Sequence, residues 1–316
     1  MIFSHKKLAV SLMGAAATMV VGSASAVPMD SIAESWHNLG AGNSKATTPN
    51  GGAPANQSSA TGEICVFCHT PHGGDSSASI PIWNRNISNP PTYTRYSDLG
   101  TSTFDAAEAP IGSITIGCLS CHDGTQAIDA LLNAPGSGNY TAPGGTPPAL
   151  GGFTGDDQVG GQLKTGIVQN LGTDLSNDHP VSMQYGGGGI TVGGGTTVDL
   201  DFRAPTEEAL GTGTPVWYIP GEITALQIDA TQYANAQSLN PAGRDRLDVI
   251  LYTRDEATVA GGAQPFVECG SCHDPHNVDN PTFLRISNTD PATPGFEDWA
   301  AGNGGPSALC LTCHDK

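Results

Sequence analysis

The chain has 316 residues, of which 42 are glycine and 23 proline, and only 13% are charged. That composition favours turns and irregular wrapping over long helices or an ordinary α/β domain. Twelve basic residues against thirty acidic ones give a formal charge of −18, which excludes a nucleic-acid partner on electrostatic grounds but selects no function by itself.

The N-terminus reads as a secretory signal. Lys6 and Lys7 precede an apolar run from Leu8 to Val21, and Ala24-Ser25-Ala26 forms an A-x-A cleavage site. Cleavage assigns 1–26 to the leader and starts the mature chain at Val27, with ten basic residues against thirty acidic ones. About fourteen apolar residues fall short of the ~20 that span a bilayer, so no membrane span is expected. No cysteine follows the cleavage site, which argues against a lipid anchor. The expected location is extracellular or at the cell surface, with the periplasm as fallback.

Beyond the leader, all eight cysteines fall into four copies of one pattern: Cys65-Val-Phe-Cys68-His69, Cys118-Leu-Ser-Cys121-His122, Cys269-Gly-Ser-Cys272-His273 and Cys310-Leu-Thr-Cys313-His314. C-x-x-C-H is the attachment signature of c-type haem. Two thiols one short turn apart can bond to the two vinyl groups of one porphyrin, and the next residue supplies an axial nitrogen to the iron. Zinc clusters or disulfides would explain C-x-x-C alone. Histidine is 9 of 316 residues, so its chance placement after all four pairs has odds of about one in a million, and four haem c groups are the expectation.

The opposite face of each iron decides function, because an open face binds substrate and a closed one confines the haem to electron transfer. Apart from His5 in the leader and the four motif histidines, the chain contains only His37, His72, His179 and His276. Four irons and four histidines match in number, which predicts bis-histidine ligation and comparatively low potentials. Met29 and Met183 are the sulfur alternatives, Met183 competing with neighbouring His179. His72 and His276 recur in His-Thr-Pro-His and His-Asp-Pro-His directly after two motifs, and His179 lies in the turn sequence Asn-Asp-His-Pro. Three residues span at most ~10 Å, whereas the Cα atoms of two axial histidines on one metal lie roughly 12 Å apart. His72 and His276 should therefore ligate irons other than those of His69 and His273, drawing haems side by side. For His72 that haem is in the same chain or in another subunit. His37, 28 residues before Cys65, is expected at the first haem.

Motif spacings of 53, 151 and 41 residues leave one long gap. It opens on a Pro/Gly-rich run, Ala134 to Gly152, that reads as irregular loop. Strand-like runs follow at Ile190 to Val192, Val198 to Phe202 and Val216 to Ile219. Arg244 to Thr253 reads as one strand or a helical turn or two. The expected architecture is a multihaem cytochrome in one domain, 27–316: mostly irregular coil around a stacked haem array, with few short helices. A Gly/Pro/Thr-rich insertion at about 134–235 would carry a small hairpin or sheet.

These motifs, with the His-x-Pro-His extensions and the terminal Ala308-Leu-Cys310-Leu-Thr-Cys313-His314-Asp-Lys, resemble the multihaem cytochromes of dissimilatory metal-reducing bacteria. The similarity is greatest to tetrahaem members that polymerise into extracellular filaments; it covers the haem-bearing parts and covers 134–235 poorly. The resemblance implies sparse secondary structure, all-bis-histidine iron and a continuous haem stack. It also implies one histidine, here matching His72, that crosses to the adjoining subunit. The expected role is then a conduit built of copies of this chain, passing electrons from upstream redox cytochromes to extracellular acceptors. The alternatives are a soluble tetrahaem carrier and, with no iron face left over, less readily a multihaem oxidoreductase enzyme.

Overall fold

The computed structural model describes residues 32–208, 216–221, 248–277, 281–286 and 308–315, apart from positions 46, 50, 103, 105, 137, 138, 258 and 260 within them. The expected leader at 1–26, Met29, residues 222–235 of the insertion and residues 244–247 lie outside the described residues.

Coil dominates, and the regular elements are short. Two-residue ladders join Gln57–Ser58 to Phe153–Thr154, Gln158–Val159 to Gln162–Leu163, and Ile190–Thr191 to Gly194–Gly195. The last is a glycine hairpin: Gly195 has φ +132, and a Cβ there would run into the carbonyl of Gly189, so only glycine closes it. Among the described residues Ala134 to Gly152 is irregular, with isolated bridges joining Asn133 to Tyr140 and Ala130 to Ala149.

One antiparallel sheet carries the main core. Its strands in chain order are β1 (Met183–Gln184), β2 (Thr206–Glu208), β3 (Val216–Ile219), β4 (Val249–Arg254) and β5 (Gln264–Val267), arranged β1-β5-β4-β3-β2. Valine, isoleucine and aromatics suit a pleated half-buried surface, and β3 alternates as a two-residue period requires, with Trp217 and Ile219 buried and Val216 and Tyr218 less so. Leu251 pairs with Trp217 and Val249 with Ile219, so both strands present the same face. Met183, Tyr185, Ile190, Val267 and Ile286 complete that core. Pro265, which cannot donate to a ladder, sits where β5 has only β4 beside it, because β1 pairs with 266 and 267 alone.

Val198 to Phe202 is not a strand. Asp199 turns the chain by accepting from the Asp201 amide at 2.9 Å, and Phe202 forms a bridge to His314 instead. Part of the expected insertion is thus integral to the fold: β1, β2 and β3 come from it, while β4 and β5 lead into the third motif.

Three short helices hold cysteine motifs: α1 (Ser113–His122), α2 (Cys269–Cys272) and α3 (Ala308–Cys313), while the first motif sits on the 3-10 turn Cys65–Phe67. Among the described residues no helix is long and apolar enough to cross a membrane.

Candidate haem-binding site

Helical geometry explains the motif spacing. Residues three apart share a face, so each Cys pair projects to one side of its turn. The turn is closed by the motif histidine, whose amide donates to the carbonyl of the first cysteine at 2.8 Å for His69, 3.0 Å for His273 and 2.8 Å for His314.

The motif histidines are oriented by backbone. Nδ1 of His69 donates to the Pro81 carbonyl at 2.9 Å, that of His122 to Gln169 at 2.8 Å, and that of His273 to Thr282 at 2.8 Å. A carbonyl only accepts, so Nδ1 carries the proton and Nε2 the lone pair that a metal needs. His314 packs against the ring of Phe202 at 4.4 Å.

Two other histidines stand opposite motif histidines. The rings of His69 and His276 are 6.3 Å apart, and those of His37 and His122 are 6.2 Å apart. Two metal–nitrogen bonds of about 2 Å, plus about 1.1 Å from each nitrogen to its ring centre, give about 6.2 Å for axial imidazoles on one iron. The chain's own residues therefore fit haem at these two positions. His37 was expected at the first motif, but it faces His122 of the second. Proximity in sequence did not decide its place: a hydrogen bond to the Pro275 carbonyl and a stack on Phe283 at 4.3 Å hold its ring beside the third motif's loop.

Burial favours the neutral form of His37 and His122, the form a metal binds. Burial, aided by neighbouring His122, lowers the pKa of His37 to about 3, and burial also lowers that of His122. His276 has a carboxylate partner, with Nδ1 3.4 Å from Asp274 Oδ1. Burial works to raise the Asp274 pKa, but that hydrogen bond and the Arg285 charge outweigh it and hold it at about 2.

The remaining two histidines differ from these. His179 is exposed, its Nδ1 3.0 Å from the Pro180 carbonyl. Three residues on, Ser182 donates to Glu268, the residue before Cys269, so this segment lies against the third motif. Met183 is buried in the sheet core, which removes it as a competing ligand. His72 is exposed, and its ring makes no hydrogen bond or ring contact with a described residue. Its backbone is nevertheless fixed, the carbonyl accepting from Thr70 Oγ1 at 3.1 Å and from Asn133 Nδ2 at 2.5 Å.

Consecutive motifs are neighbours. The Cys118 thiol hydrogen-bonds that of Cys269, while Cys68 and Cys121, and Cys272 and Cys310, are within electrostatic reach. Buried charged groups lie between them. Arg85 is fully buried, donating to Ser120 Oγ at 3.2 Å and to the carbonyls of Ile128, Ser120 and Ala127 at 2.6, 2.9 and 2.9 Å. Glu268 is buried against Arg254 Nη1 at 2.9 Å and the hydroxyls of Thr115 and Ser182. Nothing in the sequence marks carbonyl partners.

The site thus defines a protein built to hold haem covalently through paired cysteines. A family described by a doubled CXXCH motif matches residues 259–316, which contain the third and fourth motifs. The match indicates a multihaem c-type cytochrome, a class that transfers electrons and is generally exported. No curated protein matches the chain.

Proposed function

We propose that the protein is the subunit of an extracellular cytochrome filament. In this reading it is an electron-transfer protein rather than an enzyme, carrying four haem c groups with two axial histidines each. His69 and His276 hold the first haem and His122 and His37 the second. His273 and His179 hold the third. His314 holds the fourth together with His72 of a neighbouring copy. Haem supplies the reversible iron couple; the chain excludes exogenous ligands, fixes ring orientation and keeps neighbouring motifs close enough for tunnelling.

The observation that carries this reading is His72, an exposed imidazole on a clamped backbone with no ring partner among the described residues, beside two pairs of histidines that face each other within the chain. Its upstream partners would be redox cytochromes and its outlets extracellular acceptors. Cryo-electron microscopy of sheared cell-surface material tests it. Helical filaments in which one axial histidine per subunit comes from the neighbour are expected, and His72→Ala should abolish them while all four haems stay attached. A monodisperse monomer with four six-coordinate irons, as a soluble carrier would be, contradicts the proposal.

A further inference from the structure

We propose that Phe283 is a positioning residue that crosses the axial imidazole planes of the second haem, making it electronically distinct from the first. The proposal rests on the bis-histidine reading above and adds to it an orientation and the residue that sets it.

The two ligand pairs differ in orientation though not in separation. The rings of His69 and His276 are inclined by 14°, those of His37 and His122 by 74°. Rotation of an imidazole about its bond to iron is soft, so its plane is set by surrounding contacts. His122 is fixed by the Gln169 carbonyl at 2.8 Å. His37 is fixed by the Pro275 carbonyl and by Phe283, whose ring lies face to face with it at 4.3 Å and 8°. A hydrogen bond alone permits the ring to swing, whereas a stacked face dictates its plane.

The backbone at this point is strained in a way that serves the stack. Thr282 and Phe283 have φ of +57 and +60, a left-handed conformation that side-chain-bearing residues adopt at a cost. The same turn delivers the Thr282 carbonyl to Nδ1 of His273. One strained turn therefore orients a ring at the third motif and, through Phe283, a ring at the second.

Ligand planes have a direct spectroscopic consequence. In low-spin ferric haem, two parallel imidazoles interact with the same iron dπ orbital and split the pair widely, giving a rhombic paramagnetic signal. Crossed imidazoles interact with one orbital each and leave them nearly degenerate, giving a strongly axial signal with a large maximum g value.

Electron paramagnetic resonance of the fully ferric holoprotein tests this, with haem content measured by pyridine haemochrome. The wild type should show a rhombic and a strongly axial low-spin component. Phe283→Leu should lose one haem's worth of the axial component with haem content and low-spin state unchanged, whereas Phe283→Tyr, which keeps the ring, should retain it. If the leucine variant does not accumulate, Phe283→Met carries the same expectation. An axial component that persists in full without the aromatic ring overturns the proposal, as does its absence from the wild type. A high-spin ferric signal at the second haem would instead overturn the ligation reading beneath it.

Discussion

Truncation of Arg254 to alanine should destabilise the protein by about 4 kcal/mol, the cost of stranding a buried carboxylate. Arg254 is 8% exposed and Glu268 0%, and their Nη1 to Oε1 distance is 2.9 Å. Without the guanidinium, Glu268 keeps the hydroxyls of Thr115 and Ser182 but no counter-charge. Breaking such a pair from one side costs about 3–5 kcal/mol. The lost bond to the Pro110 carbonyl at 2.8 Å contributes about 1 kcal/mol within that range, and the contact to Glu256, which is 27% exposed, adds little. With a urea slope of about 2 kcal/mol per molar, the unfolding midpoint should fall by about 2 M. Soret circular dichroism of the holoprotein in urea reads this directly. Arg254→Met combined with Glu268→Gln should recover most of the loss, because no charge remains buried. A midpoint shift below about 0.5 M for Arg254→Ala, or a double variant as unstable as the single one, would refute the reasoning. The cluster matters because Thr115 belongs to α1 and Glu268 precedes Cys269, so the pair fastens the second motif to the third.

Arg85 is a buried cation bonded to three carbonyls and one hydroxyl between the first two motifs, and a positive charge disfavours ferric iron. Arg85→Met should lower the potentials of the adjacent haems in a spectroelectrochemical titration and, by orphaning three carbonyls, destabilise the fold by about 3 kcal/mol. Asp75 accepts four hydrogen bonds, from the amide and hydroxyl of Ser77, the Ile87 amide and the Ser88 hydroxyl. Burial works to raise its pKa, but these donors hold it below the ordinary 3.8. Its stabilisation is thus complete above 3.8 and lost as pH falls through the folded-state value, so acid melting curves should flatten in Asp75→Asn below about pH 4. An unchanged acid slope in that variant would count against the assignment. His179→Ala should open the third iron without detaching its haem, read as carbon monoxide binding to the reduced protein.

The doubled motif that the family match covers was legible in the sequence because haem attachment chemistry fixes residue type and spacing together. So was β3, whose Val-Trp-Tyr-Ile run alternates as a half-buried strand must. β4 was ambiguous because Val-Ile-Leu-Tyr satisfies both periods locally; pairing with β3 on one side and β5 on the other decides it. Helix α1 has no clear sequence signature, since Ile114, Thr115 and Ile116 disfavour helix and its surface is apolar on more than one side, packing having overridden propensity. His37 was misplaced because sequence distance says nothing of Pro275 and Phe283, more than 230 residues away, which hold it at the second motif. The carbonyls of Pro81, Gln169 and Thr282 left no trace in the sequence, because every residue carries a backbone carbonyl and only the fold decides which one meets a ring.

In the proposed filament every iron would be closed on both faces, which would confine the haems to passing electrons. Exposure of the reduced, assembled material to carbon monoxide measures this most directly. The Soret band is predicted to stay where it was, while His72→Ala protein should bind carbon monoxide at one haem per chain. Carbon monoxide binding by a substantial fraction of the haems in the wild-type assembly would contradict the account.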